Sequence, residues 1–219
     1  MSRSRGLVAQ PALVLMDEPL SNLDAKLRHQ VRTEIKELHQ ELGFTAVLVT
    51  HDQDEAPALG DRIAIMRDGR IEQIATPEHL FQRPATEYVA SFIGLSNRIE
   101  WTRDGMVWRS ESGAEASVDV LGVAGAEGAV SCVLPEDVQV LRESRAAGQG
   151  ELVLHGRLVT AEYGGRHSDV VVDVNGQRLH ARVFDDRARG LEPGDDIEVA
   201  IDLRRLRSFA ASDAPAVAA

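Results

Sequence analysis

The chain has 219 residues, 43% of them hydrophobic, a length for one or two domains and too apolar for disorder along most of it. With 35 acidic against 24 basic residues, a formal charge of -11 and only 4% aromatics, it has little to displace phosphate counterions or stack bases, which argues against nucleic acid as a partner. The single cysteine, Cys132, excludes an internal disulfide, a zinc ribbon and a CxxC redox pair, and fits a reducing, cytoplasmic setting.

Arg3 and Arg5 ahead of Leu7 superficially resemble a secretory leader, but Gln10 and Pro11 interrupt the apolar run and Asp17-Glu18 ends it. Nowhere do 18 apolar residues follow one another, so a membrane connection has to pass through a partner. Ala12 to Met16 reads as a strand buried on both faces, closed by Asp17-Glu18-Pro19. Ser21 with an acid three residues on, Asp24, signals a helix start. Leu27, Val31, Ile35, Leu38 and Leu42 then share one helical face, Arg28, Arg32, Glu34, Lys36 and Glu41 lie away from it, and Gly43 stops the helix. Thr45 to Thr50 is a second β-branched run ending at His51-Asp52. Strand, helix and strand make a βαβ unit with a parallel pair, and ligands of such sheets sit beyond the carboxyl ends of the strands. Asp17, Glu18 and His51 all fall there, so two carboxylates and an imidazole converge on one rim that could handle a metal and a polarised water.

Further along, 62–66 and 70–74 flank Asp68-Gly69, the dipeptide of a type I′ hairpin, which is expected to extend the sheet at its edge. Pro57 falls in the segment after His51 and would kink any helix there past its first turn. Pro77 to Gln82 and Thr86 to Ile93 read as short helices, the second ending at Gly94. Beyond Gly94 the texture turns to short alternating runs: Val130 to Val133, Leu152 to Val159, Val170 to Val174, Arg178 to Val183 and Ile197 to Ile201. Asn175-Gly176 and Pro193-Gly194-Asp195 act as turns between them, as in a small all-β barrel or sandwich. The other histidines, 29, 39, 79, 155, 167 and 180, lack paired metal-ligand spacing, and Arg204-Arg205-Leu206-Arg207 reads as a solvated end of the barrel.

The stretch Leu13-Val14-Leu15-Met16-Asp17-Glu18-Pro19-Leu20-Ser21-Asn22-Leu23-Asp24 resembles the Walker B motif and D-loop of ATP-binding-cassette (ABC) ATPases, and Thr50-His51-Asp52 resembles their H-loop. An apolar run before Asp-Glu is common; its union with Ser-Asn-Leu-Asp, a helix and a His at the next strand end is not. The resemblance implies that Asp17 holds Mg²⁺ through water, Glu18 orients and deprotonates the attacking water, and His51 contacts the γ-phosphate and that water. It implies that Asp24 acts across a dimer and that Ser21 and Asn22 shape the loop. Asp61-Arg62-Ile63, Asp68-Gly69-Arg70-Ile71, Thr76-Pro77-Glu78, Pro84 and Phe92-Ile93-Gly94 resemble the end of the cassette in maltose-, polyamine- and iron-type importers. The remainder resembles their TOBE regulatory domain, through 133–138, where Leu134 replaces the family's usual arginine, and through Tyr163-Gly164-Gly165.

The implied fold is a partial, P-loop NTPase-like α/β half over 1–94, a small all-β OB-like TOBE domain over 95–209, and a frayed tail over 210–219. Neither Lys26 nor Lys36 follows a glycine, so the 219 residues hold no Walker A loop, and the Leu-Ser-Gly-Gly-Gln signature is missing as well. The chain is therefore expected to begin inside the cassette, through a truncated gene or a misplaced start, and not to hydrolyse ATP unaided. By resemblance, the intact subunit binds ATP and Mg²⁺, pairs with a second ATP-binding subunit, and drives integral membrane permease subunits from the cytoplasmic face of the membrane. The alternatives are a noncatalytic module that binds an ATPase or permease, and an unrelated metal-dependent α/β hydrolase using Asp17, Glu18 and His51.

Overall fold

The computed structural model describes residues 13–117, 121, 126–142, 145–148 and 150–211, which fall into two compact units divided between Gln82 and Arg83. The expectations for residues 1–12 and 212–219 lie outside the described residues.

In the first unit, β1 (Leu13–Asp17) and β2 (Thr45–Val49) pair in parallel, Leu13 opposite Thr45 and Asp17 opposite Val49, joined through helix α1 (Ala25–Leu42). Two local features fix the ends of α1. Asp24 is extended and its carboxylate accepts the Leu27 N–H at 2.9 Å, while Gly43 takes the left-handed conformation, φ 65°, and its N–H reaches the His39 carbonyl. The cap is Asp24 and not the expected Ser21, because the Ser21 hydroxyl already donates to the Glu18 carbonyl at 3.0 Å. Strand β1 is not buried on both faces as its apolar run suggested, and β2 shows the same pattern. Burial alternates along both, leaving Leu13, Leu15, Val47 and Val49 exposed, because among the described residues nothing is layered over that face. In α1, Val31, Ile35 and Leu38 are half-buried, whereas Leu27 and Leu42, at the ends of the expected stripe, are exposed.

Helix α2 (Glu55–Leu59) is a single turn, so Pro57 lies where its missing N–H has no helical partner to lose and kinks nothing. Strands β3 (Ile63–Arg67) and β4 (Arg70–Ala75) form the hairpin turned by Asp68 and Gly69, φ 49° and 74°, as a type I′ turn requires. The hairpin is a separate two-stranded sheet and does not extend β1–β2. Pairing across a two-residue turn closes the shortest loop, and β3 takes that local partner. Helix α3 (Pro77–Gln82) follows.

The second unit begins with α4 (Glu87–Phe92), capped by Thr86. Ala90 packs with Leu95, Val130 and Cys132, with Ile93 and Leu134 against them, which places this helix with the β-rich unit and moves the division ahead of the expected boundary at 94. The strands are β5 (Asn97–Asp104), β6 (Val107–Arg109), β7 (Glu115–Ser117), β8 (Gly128–Val133), β9 (Val138–Leu141), β10 (Glu151–Tyr163), β11 (Ser168–Val174), β12 (Gln177–Val183), β13 (Asp196–Asp202) and β14 (Arg207–Ala210). They form two five-stranded antiparallel sheets, β12-β11-β10-β13-β9 and β14-β8-β5-β6-β7. One core lies between them, with Ile99, Trp101 and Trp108 from the second sheet and Val140, Leu154, Val172 and Val199 from the first. Ala210, expected in the frayed tail, pairs with Ala129 as the last residue of β14.

Long strand β10 serves both halves of its sheet, pairing with β13 up to Arg157 and with β11 from there on, with a register shift between Leu158 and Thr160. Gly156 sits at that changeover. A Cβ there would stand 2.6 Å from the Asp173 carbonyl oxygen and 2.6 Å from Val172 Cγ1, so glycine is required by space. Asn97 ties the two sheets: its Nδ2 donates to the His180 carbonyl and its Oδ1 accepts the His180 N–H, both at 2.7 Å. Asn175 and Gly176 turn β11 into β12 with φ 52° and 87°, again a type I′ geometry.

Candidate functional site

The carboxyl ends of β1 and β2 hold the candidate residues. The strand register sets Asp17 opposite Val49, and the next N–H, that of Glu18, continues the ladder to the Val49 carbonyl at 2.8 Å. Glu18 then leaves the strand with φ 40°, a left-handed conformation that costs a non-glycine residue about 1 kcal/mol or more. It is held there by its N–H on Val49 and by Ser21, whose hydroxyl donates to its carbonyl. The turn presents the Glu18 carboxylate to the residue two beyond the end of β2: His51 Nδ1 lies 2.8 Å from Glu18 Oε1. An ionised carboxylate has no proton to give, so the ring nitrogen is the donor.

Both side chains are open to solvent, 74% for His51 and 46% for Glu18. The hydrogen bond to Glu18, and after it the charge of Glu18, raises the His51 pKa above the ordinary imidazole value, with smaller contributions from Asp52 and Glu55. A proton is therefore stabilised between the two groups, and His51 Nε2 makes no hydrogen bond among the described residues. Asp24, the fourth candidate, stands at the head of α1 with its carboxylate engaged as the helix cap. The structure thus brings Glu18 into contact with His51, places Asp17 next to them at the strand end, and leaves Asp24 on the following loop.

Among the described residues no three His, Cys, Asp or Glu side chains converge as a metal cage. Magnesium binds through one or two carboxylates and keeps several waters, so Asp17 alone is a donor set of the right chemistry for it.

Sequence reasoning missed the residues that hold His51 from behind. Thr50 Oγ1 donates to Glu55 at 2.7 Å and accepts the Asp52 N–H at 3.0 Å. Asp52 Oδ1 accepts the N–H groups of Asp54 and Glu55, at 2.8 and 3.2 Å, and its Oδ2 meets Arg28 Nη1 at 3.0 Å. Glu55 as a whole is 1% exposed. A local signal did exist, since Asp followed three residues later by Glu is the pattern of a capping box. Arg28, Arg32 and Lys36, one turn apart on α1, each reach this segment, at Asp52, the Asp54 carbonyl and the Ala58 carbonyl.

Residues 131–209 match the TOBE domain family. The chain is 40% identical over 210 residues to the "Fe(3+) ions import ATP-binding protein FbpC" of Rhizobium etli, an alignment that covers 92% of this chain and 56% of that protein. It is 39% identical over 207 residues to the "Spermidine/putrescine import ATP-binding protein PotA 2" of Pseudomonas aeruginosa, covering 90% and 57%. The chain thus spans about half the length of the curated relatives it matches. Among solved structures, the cytoplasmic molybdate-binding protein ModG aligns with 52% of this chain and 95% of its own at a TM-score of 0.41 and 15% identity, a likeness too loose to bear on function. Among the described residues no helix is long and apolar enough to cross a membrane.

Proposed function

This chain is the counterpart of the carboxyl-terminal part of an ABC importer ATP-binding subunit and carries its TOBE domain, and from that premise we propose that it supplies the hydrolytic edge of the ATP site in such a subunit. The observation that carries the proposal is the pairing of Glu18 with His51, 2.8 Å apart at the carboxyl ends of two parallel strands, with Asp17 beside them.

In this role Glu18 is the base that orients the attacking water and takes its proton. His51 steadies the Glu18 carboxylate through Nδ1 and offers Nε2 to the γ-phosphate or the water. The same contact favours the protonated imidazole, so His51 carries an N–H on each ring nitrogen, one for Glu18 and one for the phosphate or water. Asp17 would hold Mg²⁺, which when bound neutralises charge on the phosphates. Asp24 would reach the site of a second subunit. The partners are that second ATP-binding subunit and integral membrane permease subunits, at the cytoplasmic face of the membrane, with the α/β half-cassette contributing the chemistry and the TOBE domain a regulatory surface.

Relatives named for a trivalent metal ion and for polyamines match 92% and 90% of this chain at 40% and 39% identity, so similarity to them does not single out one cargo.

Phosphoryl transfer depends on positioning and charge, and the 219 residues contain no Gly-Lys-Ser/Thr loop to cradle phosphates. The test joins residues 13–219 to the remaining, amino-terminal portion of the Rhizobium etli relative. Mg²⁺-dependent ATP hydrolysis is expected, reduced about 100-fold or more by Glu18→Gln. The 219-residue polypeptide alone should show none. Hydrolysis by the joined protein that ignores Glu18→Gln, or turnover by the 219 residues alone that requires Glu18, would defeat the proposal.

A further inference from the structure

We propose that Arg28 is a positioning residue: through Asp52 it fastens the segment carrying His51 to the loop carrying Asp24, and so sets the contact between His51 and Glu18. Its consequence for ATP hydrolysis rests on the proposed function; the contact itself does not.

The His51 ring is largely open to solvent, so packing does not orient it, and its direction follows from its backbone and from Glu18. That backbone is pinned on both sides. Before it, Thr50 is fixed by the buried Glu55 carboxylate and by the Asp52 N–H. After it, Asp52 spends one carboxylate oxygen on the N–H groups of Asp54 and Glu55 and the other on Arg28. The Arg28 guanidinium forks, with Nη1 on Asp52 at 3.0 Å and Nη2 on the Leu23 carbonyl at 3.2 Å. Leu23 lies next to Asp24, the cap of α1, and the Arg28 N–H closes the first turn of that helix on the Asp24 carbonyl at 2.8 Å. One planar cation thus spans the two loops that present candidate site residues, in the two-acceptor geometry that suits arginine and not lysine. Arg32 and Lys36 hold the same segment further along, at the Asp54 and Ala58 carbonyls. Loss of Arg28 should therefore loosen the His51 end without detaching the segment.

The experiment is long-range ¹H–¹⁵N correlation on the ¹⁵N-histidine-labelled 219-residue chain at about pH 9, where imidazoles are neutral. The ring-nitrogen shifts then report which nitrogen of His51 carries the proton. In the parent chain His51 should hold it on Nδ1, donated to Glu18. Arg28→Ala should move it mostly to Nε2, to the same extent as Glu18→Ala, and should add nothing in the Glu18→Ala background. Arg28→Lys should restore part of the Nδ1–H population through its single remaining contact with Asp52. Asp52→Asn, which keeps an acceptor for the helix N–H groups but presents an amide to Arg28, is the second variant and should act as Arg28→Ala does, even where Arg28→Ala fails to fold. An unchanged His51 signature in either folded variant overturns the inference and leaves the proposed function standing. Glu18-independent turnover in the joined ATPase would defeat the function and leave this result standing.

Discussion

Leu15 and Val172 are both aliphatic residues in the middle of a strand, yet Leu15 is 73% exposed and Val172 is fully buried. The difference runs through the two units. In 83–211, two antiparallel sheets turn their inner faces toward each other, and side chains from nine of their ten strands fill one core. In 13–82, the parallel pair β1–β2 has an apolar face with no layer over it among the described residues. The buried residues there are few: Pro19, Leu20, Glu55, Ile65, Ala75 and Leu80. A parallel sheet requires cover on both faces, whereas two antiparallel sheets cover each other. The candidate chemistry thus sits on the unit that its own residues close least, and the unit with the complete core carries no candidate catalytic residue.

The largest expected effect lies in the β-rich core. Trp108→Ala should destabilise that unit by about 3–5 kcal/mol in chemical denaturation followed by circular dichroism. The thiol of Cys132 reports the same transition independently. Burial pushes its pKa up to about 12, so alkylation at neutral pH should be blocked in the folded unit and appear only as it unfolds. Gly156→Ala should cost about 1–3 kcal/mol, since the added methyl meets a carbonyl and two valines, although in an open strand the same change would help.

Acid should act next, and on the same unit. Asp202, paired with Arg204, is held down to about 2, and Glu151, Asp169 and Asp185 are lowered by Arg145, by Arg182 and by the backbone and side chain of Arg187. Carboxylates with depressed folded-state values stabilise above their ordinary range of about 4 and lose that contribution as pH falls through the lowered values. Thermal melts of the β-rich unit should therefore decline from about pH 4 toward pH 2, a window in which Asp202→Asn flattens part of the slope. His51 has the opposite sign: its raised value means that the stability gained by pairing the charged imidazole with Glu18 is present below about 6.5 and lost as pH rises through the raised value, leaving the neutral Nδ1–H bond. The smallest effect should come from Leu15→Ala, within about 0.5 kcal/mol by the same denaturation assay, because the side chain has little apolar contact to lose. A cost at Leu15 equal to that at Trp108 would erase the distinction between the two units.

Much of this was legible from local pattern. Asp68-Gly69 and Asn175-Gly176 announced their hairpins because only a few residues tolerate two successive positive φ angles, and the apolar run before Asp17-Glu18 announced a strand end. What escaped depends on partners far along the chain. Arg28 counts as surface on a helical wheel, yet its guanidinium is half-buried against Asp52, 24 residues on. Ser21 and Asp24 are both good caps, and the choice fell to Asp24 once Ser21 was spent on Glu18. Helix α4 belongs with the β-rich unit because Val130 and Cys132 of a distant strand receive it. The contact of Glu18 with His51 spans 33 residues, and strand order alone made it foreseeable.

Residue-resolved hydrogen exchange of the 219-residue chain examines the contrast between the units without any ligand. The amides of β8, β11 and β13 should exchange only through global unfolding of their unit, while those of β1 and β2 exchange through low-energy local opening and α2 lies between, slowed by the Arg28–Asp52 clamp. A single protection level shared by β1, β2 and the strands of the β-rich unit would show that the uncovered sheet is as closed as the β-rich core, and the division of labour argued from Leu15 and Val172 would fall.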